Sequence, residues 1–112
     1  MTKLIISFVL LLATTSAFAE NLICTVSVNL QVVAEAEVTA EVKNKEIYVQ
    51  AEDFTFYVTN LGNSKFEMEI FDMTTPSRSY AQGYLRSAAD ELTWTLWSRD
   101  ILLDTSCKLA GK

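Results

Sequence analysis

The chain lacks histidine altogether and has only three glycines and one proline among its 112 residues. Without histidine it has neither a Ser-His or Cys-His nucleophile pair nor a histidine-based zinc site. Three scattered glycines leave no glycine-rich loop that could bind phosphate. The acidic residues near predicted turns are explained by solvation rather than by paired-carboxylate catalysis. We therefore expect no catalytic residue, no metal site and no cofactor, and we predict that the protein is not an enzyme.

A run of basic residues is also absent. Once Lys3 is removed with the N-terminal signal, 14 acidic residues stand against 8 basic ones, a net charge of −6. Acidic chains of this kind do not attract nucleic acid or anionic membrane surfaces. The composition therefore argues against nucleic acid as a partner and is compatible with a basic protein. We expect a protein partner or a small ligand.

A long apolar run occurs at the N terminus, where residues 1–19 form a predicted cleavable secretion signal. Lys3 supplies the positive charge, residues 4–13 form the apolar segment, and Ala17-Phe18-Ala19 is a small-x-small cleavage site. Ten apolar residues are too few to cross a bilayer, which takes about 20, so we expect no membrane-spanning segment. Residues 20–112 then form a single domain. We predict export to the periplasm or the medium, and the compact signal is typical of bacteria.

The chain has two cysteines, Cys24 just after the signal and Cys107 close to the C terminus. An oxidising compartment permits a disulfide, and a domain of this size benefits from one because its core is small. Closing the loop between the two residues would stabilise the fold by about 4.5 kcal/mol in the chain-entropy description. A shared metal ion and two free thiols are the alternatives. We predict the Cys24–Cys107 disulfide.

Apolar and polar residues alternate along most of the mature chain, which is typical of β-strands with one buried face. The alternation persists through residues 34–42 although alanine and glutamate favour helices, and we predict a strand there. Turns are predicted at Lys43-Asn44-Lys45-Glu46, where Asn44 suits the left-handed conformation, and at Leu61-Gly62-Asn63-Ser64. The predicted inward face of the first strand carries Cys24, Val26, Val28, Leu30 and Val32.

Eight such segments, spaced by roughly twelve residues, indicate an all-β fold. Both cysteines share the inward parity of their segments. A disulfide between them requires their Cα atoms to lie within about 7 Å of each other. A small antiparallel eight-stranded meander barrel satisfies this condition, because its first and last strands pair. A two-sheet β-sandwich with facing terminal strands is the alternative.

Several large aromatic residues have the outward parity of their strands, among polar neighbours. Exposed aromatic residues are enriched at protein–protein interfaces. Trp97 belongs to this group, whereas Trp94 falls on the inward side and is predicted to lie in the core. Strand propensity, or a bulge that turns Trp97 inward, is the competing explanation. The candidate binding surface consists of Tyr48, Tyr57, Phe71, Trp97 and, at the following bend, Arg99.

One short motif bears on the function. Ser77-Arg78-Ser79-Tyr80 is similar to the Ser-Gly-x-x-Tyr loop of the small barrel inhibitors of lysozyme, although the glycine is missing and no Trp-x-Lys-Gly follows. In outline the chain also resembles these inhibitors in export, size, acidic charge and a disulfide. We predict a non-enzymatic binding module that uses an outward patch or loops. The resemblance implies the alternative, a periplasmic inhibitor of a basic cell-wall hydrolase such as lysozyme.

Overall fold

The computed structural model describes residues 19–97 and 100–110, so of the predicted signal peptide only Ala19 is described. Neighbouring strands pair antiparallel throughout, which confirms the predicted all-β fold. In the described ranges we find no helix long and apolar enough to cross a membrane. The described residues form eight strands: β1 (Ala19–Val28), β2 (Gln31–Glu41), β3 (Lys45–Ala51), β4 (Phe54–Gly62), β5 (Lys65–Asp72), β6 (Ser77–Tyr84), β7 (Leu92–Trp97) and β8 (Leu102–Leu109).

The described strands form two four-stranded sheets. Sheet A has the order β2-β1-β8-β7 and sheet B the order β3-β4-β5-β6. The first and last strands are neighbours in sheet A, where Cys24 lies directly opposite Cys107. Their Cα atoms are 4.1 Å apart and their sulfur atoms are bonded, so the predicted disulfide is confirmed. The cross-link joins the two ends of the folded chain.

The predicted strand over residues 34–42 is confirmed in β2, despite its helix-forming residues. β2 pairs with β1 from Ala19 opposite Glu41 to Val28 opposite Gln31. Its alanines pack against the core while its glutamates are exposed, because a strand places alternate residues on opposite faces. A helix of the same residues would distribute the glutamates around its axis. The tertiary environment therefore overrides helix propensity here.

The prediction that Leu30 and Val32 face inward is wrong. Asn29 and Leu30 form a two-residue hairpin turn in which both have positive φ angles, 51° and 71°. Turns with positive φ at both central positions match the twist of the flanking strands. Just after the turn, Val33 has no partner on β1, which is a β-bulge. The turn and the bulge together leave Leu30 and Val32 exposed.

The other two predicted turns form, with one change in conformation. Lys43, with a φ of 67°, takes the left-handed conformation that we predicted for Asn44. The Lys43 N–H donates to the Asn60 carbonyl at 2.6 Å, and this bond holds the connection between β2 and β3 in that shape. The hairpin between β4 and β5 forms within the predicted residues, but Gly62 pairs with Lys65, so Asn63 and Ser64 are the two turn residues. Gly62, Asn63 and Ser64 all have positive φ angles.

The inner faces of both sheets share one hydrophobic core. Trp94 packs against this core, as predicted, but its indole Nε1 is buried and has no hydrogen-bond partner among the described residues. The two sheets approach closely where β6 meets β7. A Cβ atom on Gly83 would lie 2.7 Å from Leu92 Cδ1, so glycine permits this approach. The largest fully buried side chains are Phe56, Phe66, Leu22, Met68, Ile70, Leu85 and Leu103.

Candidate binding surfaces

The predicted binding residues divide among different environments. Tyr48 lies in the core, Tyr57 and Phe71 lie on the outer face of sheet B, and Trp97 lies at one end of sheet A. Arg99 lies outside the described residues. Strand parity therefore identified residues that do not all lie on one surface.

Tyr48 is 7% exposed, so the prediction that it faces outward is wrong. The β4 partners of Ile47 and Val49 are adjacent residues, which leaves Tyr48 as the extra residue of a β-bulge. The bulge changes which face of the sheet the side chains of β3 occupy, so Ile47 is exposed and Tyr48 points inward. The Tyr48 hydroxyl is hydrogen-bonded to Thr105 Oγ1 of β8 at 2.5 Å, which links the two sheets. Burial raises the pKa of this hydroxyl far above its usual value, although the bond to Thr105 opposes the shift.

Tyr57 and Phe71 occupy the outer face of sheet B, as their parity predicts, and both are half-buried. Lys45 Nζ lies 4.6 Å from the centroid of the Tyr57 ring. The Arg78 guanidinium lies 4.3 Å from the centroid of the Phe71 ring. These are cation–π contacts within the chain itself. Each ring therefore contacts a cation of this chain, and the role of Tyr57 and Phe71 in binding stays a prediction.

Glu69 is 3% exposed, although strand alternation places it on the outer face of sheet B. Lys45 Nζ lies 2.6 Å from one oxygen of its carboxylate, and Arg78 Nη1 donates to the other. Burial raises the pKa of the Glu69 carboxyl, but the hydrogen bonds and charges of the two cations outweigh burial and lower that pKa below its usual range. Contacts from three strands thus form a packed layer over sheet B.

Ser77-Arg78-Ser79-Tyr80, the motif that is similar to an inhibitor loop, lies on a strand of this chain. These residues begin strand β6 and pair with residues 69–72 of β5 in a regular register. Pro76 is the last residue of the turn between β5 and β6, and β6 begins at the next residue. In this chain the motif therefore forms the start of a strand and not a loop.

Trp97 is 80% exposed, which confirms its predicted outward parity. It pairs with Leu102 of β8. The Asn29 N–H donates to the Leu102 carbonyl at 2.8 Å, and the Leu102 N–H donates to Asn29 Oδ1 at 2.9 Å. These bonds bring the β1–β2 turn, where Leu30 is 78% exposed, to the same end of sheet A as Trp97. We call Leu30, Val32, Trp97 and Leu102 the apolar tip.

Strand parity missed Leu30 and Val32 as members of the apolar tip because it placed both inward. Asn29 is the signal that could have found them, since asparagine tolerates the left-handed conformation and favours turns. Full burial of a side chain such as leucine is worth about 1.5–3 kcal/mol, and the protein forgoes most of this gain at Leu30 and Trp97. Several exposed apolar side chains at one end of a sheet make the apolar tip a candidate contact surface.

The outer face of sheet A beside the apolar tip is acidic. Glu35 and Glu37 of β2 have exposed side chains on this face. Asp104 of β8 lies in the same cross-strand row as Val32 of the tip. Thr95 Oγ1 donates to Asp104 Oδ1 at 2.6 Å and holds that carboxylate in place. A partner that covers the tip would meet negative charge along one side.

A small cavity lies at the opposite end of β2 from the apolar tip. Its buried polar side chain, Asn60, is already hydrogen-bonded: Nδ2 donates to the Ala40 carbonyl at 3.0 Å, and Oδ1 accepts from the Gly62 N–H at 2.9 Å. The volume is about 190 Å³, below the roughly 300–1,000 Å³ of typical ligand pockets. The cavity is lined by Glu20, Val42, Asn60, Gly62, Asn63, Ser64 and Phe66.

The described residues also lack an evident metal centre. In residues 19–97 and 100–110, no three acidic or cysteine side chains lie close enough together to hold a metal ion. The buried carboxylate of Glu69 is neutralised by two cations of the same sheet.

Comparison with known proteins adds no functional assignment. No protein-family model matches the chain, and no curated protein or solved structure is significantly similar to it.

Proposed function

We propose that the protein is an exported, non-enzymatic binding module that contacts a protein partner through the apolar tip. The observation that carries this proposal is the exposure of Trp97 and of Leu30 at the same end of sheet A. Tryptophan is enriched among the residues that dominate binding energy at protein interfaces. Small ligands instead prefer concave pockets, and the small cavity lies at the other end of β2. A protein is therefore the better-supported partner.

The scaffold beneath the apolar tip supports this role. Leu102 is held to the β1–β2 turn by two hydrogen bonds with Asn29. Strands β1 and β8, which meet there, are also joined by the Cys24–Cys107 disulfide. A rigid surface loses less conformational entropy on binding and so retains more of its interaction energy. The disulfide favours an oxidising compartment, and the proposed location is the periplasm or the medium of a bacterium.

Affinity capture followed by measurement with variants tests the proposal. Immobilised protein from residues 20–112 is used to capture partners from a periplasmic extract or from culture medium, and the captured protein is then purified. Trp97→Ala should weaken its binding about 30-fold, which corresponds to about 2 kcal/mol for one buried apolar side chain. Ile47→Ala, a change at an exposed apolar residue of sheet B, is the control and should leave the affinity unchanged. Equal affinities for wild type and Trp97→Ala would contradict the proposal.

The acidic surface beside the tip favours a second candidate. We infer that the partner is a basic protein, and that the protein inhibits a basic cell-wall hydrolase such as lysozyme. Glu35, Glu37 and Asp104 would face lysine and arginine side chains of that enzyme, an arrangement that speeds association and favours basic partners.

An inhibition assay tests this candidate. Lysis of bacterial cell walls by lysozyme is measured with and without an excess of the protein, at low and at high salt. Inhibition should weaken as salt rises, because salt screens surface charges, and it should also weaken in Asp104→Lys. Glu67→Lys, on sheet B, is the matched control and should inhibit as well as wild type does. An unchanged rate of lysis would exclude lysozyme as the target.

A further inference from the structure

Strand β6 lies at the end of sheet B and has a free hydrogen-bonding edge. Among the described strands, β6 is hydrogen-bonded to β5 alone. A Cβ atom on Gly83 would point at Leu92 Cδ1 of β7. Strand β7 therefore meets β6 from the inner side. β7 therefore covers part of the inner face of β6 and leaves its hydrogen-bonding edge open.

The register shows which backbone groups of β6 face this edge. The Leu85 N–H donates to the Ser64 carbonyl at 2.9 Å, and these residues continue the register in which Tyr84 pairs with Lys65. In an antiparallel pair, hydrogen-bonded positions alternate along the strand. Ser79, Ala81 and Gly83 therefore bond to β5. The residues that direct their N–H and C=O groups to the free edge are Arg78, Tyr80, Gln82 and Tyr84.

Other edge strands of the two sheets carry features that discourage pairing with a further strand. Proteins protect such edges with bulges, charged side chains and short length. β2 has a bulge at Val33 and a row of glutamates, β3 has a bulge at Tyr48, and β7 has six residues. β6 pairs with β5 in a regular register over eight residues. Its one charged side chain, Arg78, is turned back toward Glu69 and Phe71.

We propose that β6 pairs with β6 of a second copy of the chain, antiparallel, about a two-fold axis at Ala81. Arg78 would then lie opposite Tyr84 of the second copy, and Tyr80 opposite Gln82 of the second copy. These are the positions whose backbone groups face the edge, so the pairing would form about eight hydrogen bonds between the chains. The two copies of sheet B would become one continuous sheet. The pairing uses no residue of the apolar tip and does not depend on the proposed function.

Pairings shifted by two residues in either direction are less favourable than the proposed one. The edges of two copies are therefore complementary in one register. Shifting the pairing by two residues in one direction places Tyr84 opposite Pro76, which has no N–H to donate. The opposite shift places Arg86 opposite Arg78, and like charges directly opposite are destabilising. In the proposed register the inner face brings together the small residues Ser79, Ala81 and Gly83. Such side chains allow two strands to meet without a steric clash.

An engineered cross-link tests the register. Ala81 of one copy would lie opposite Ala81 of the other in a non-hydrogen-bonded pair, with Cα atoms about 4.5 Å apart, a distance that suits a disulfide. Ala81→Cys should therefore oxidise to a covalent dimer while Cys24–Cys107 stays intact. Peptide mapping by mass spectrometry would identify both disulfides. Ser79→Cys is the matched control. Its two copies would be about 13 Å apart, so it should remain monomeric on a non-reducing gel.

Measurements on the wild-type protein complete the test. Sedimentation equilibrium should show a reversible dimer, and Gln82→Pro, which removes an edge-facing N–H, should raise its dissociation constant about tenfold or more. Residue-resolved hydrogen exchange should show amides of Tyr80, Gln82 and Tyr84 protected at high concentration and exposed on dilution. The Ala81 amide should be protected at both concentrations. A monomer up to about 1 mM, with those three amides always unprotected, would overturn the proposal, as would protection that requires a different protein.

Discussion

Replacing Tyr48 by phenylalanine tests the hydrogen bond that joins the two sheets. The substitution keeps the ring and removes the hydroxyl that bonds Thr105 Oγ1. Both residues are buried, so no bulk water replaces the lost partner. A buried polar group left without a hydrogen bond costs about 1–3 kcal/mol. We expect Tyr48→Phe to lower the free energy of unfolding by this amount, and Thr105→Val to lower it similarly.

The double variant separates the hydrogen bond from other effects of each change. Tyr48→Phe with Thr105→Val removes both polar groups while nearly preserving the shape of the core. Since neither group is then left unpaired, the combined loss should be smaller than the sum of the single losses by about 1 kcal/mol or more.

Urea unfolding of the disulfide-bonded protein, followed by tryptophan fluorescence, measures these free energies. Tyr57→Phe is the matched control, because that ring lies half-buried on the outer face of sheet B. We expect it to change the free energy of unfolding by no more than about 0.5 kcal/mol. Strictly additive losses in the double variant would refute the reasoning, since they would show that the hydroxyls do not stabilise one another.

Other predictions concern the cross-link, the close approach of the sheets and the buried carboxylate. Cys107→Ala should lower the free energy of unfolding in urea by about 4 kcal/mol, because the loop from Cys24 spans 83 residues; a loss under about 1 kcal/mol would contradict this. Gly83→Ala should cost about 1–2 kcal/mol in the same assay, since the added Cβ meets Leu92, and an unchanged stability would show that Leu92 moves freely. The pKa of Glu69 is lower in the folded protein than in the unfolded chain. The carboxylate therefore stabilises the fold above about pH 4.3, the pKa of an unfolded glutamate. This contribution is lost as the pH falls through the pKa of Glu69 in the folded protein. Glu69→Gln should therefore show a weaker decline in melting temperature below about pH 5, and parallel declines would count against this role.

Much of the fold was predictable because alternation and cysteine placement are local properties of the chain. The predicted strand at residues 34–42 follows from nine alternating positions, and the inward parity of Cys24 and Cys107 led to the prediction of the disulfide between the first and last strands. Of the candidate binding residues, Trp97 was predicted to be exposed and is exposed. Its role in binding stays a prediction.

The sequence by itself determined the all-β class, the cross-link and the outward parity of Trp97, since each depends on side-chain parity along a strand. Tertiary structure alone decided that the Tyr48 side chain points into the core. One bulged residue reverses parity, and alternation does not reveal where such a residue enters. Only the assembled sheet could bury Glu69, because its cations come from strands on either side of β5. Contacts between strands depend on register, and register is established when the strands pair.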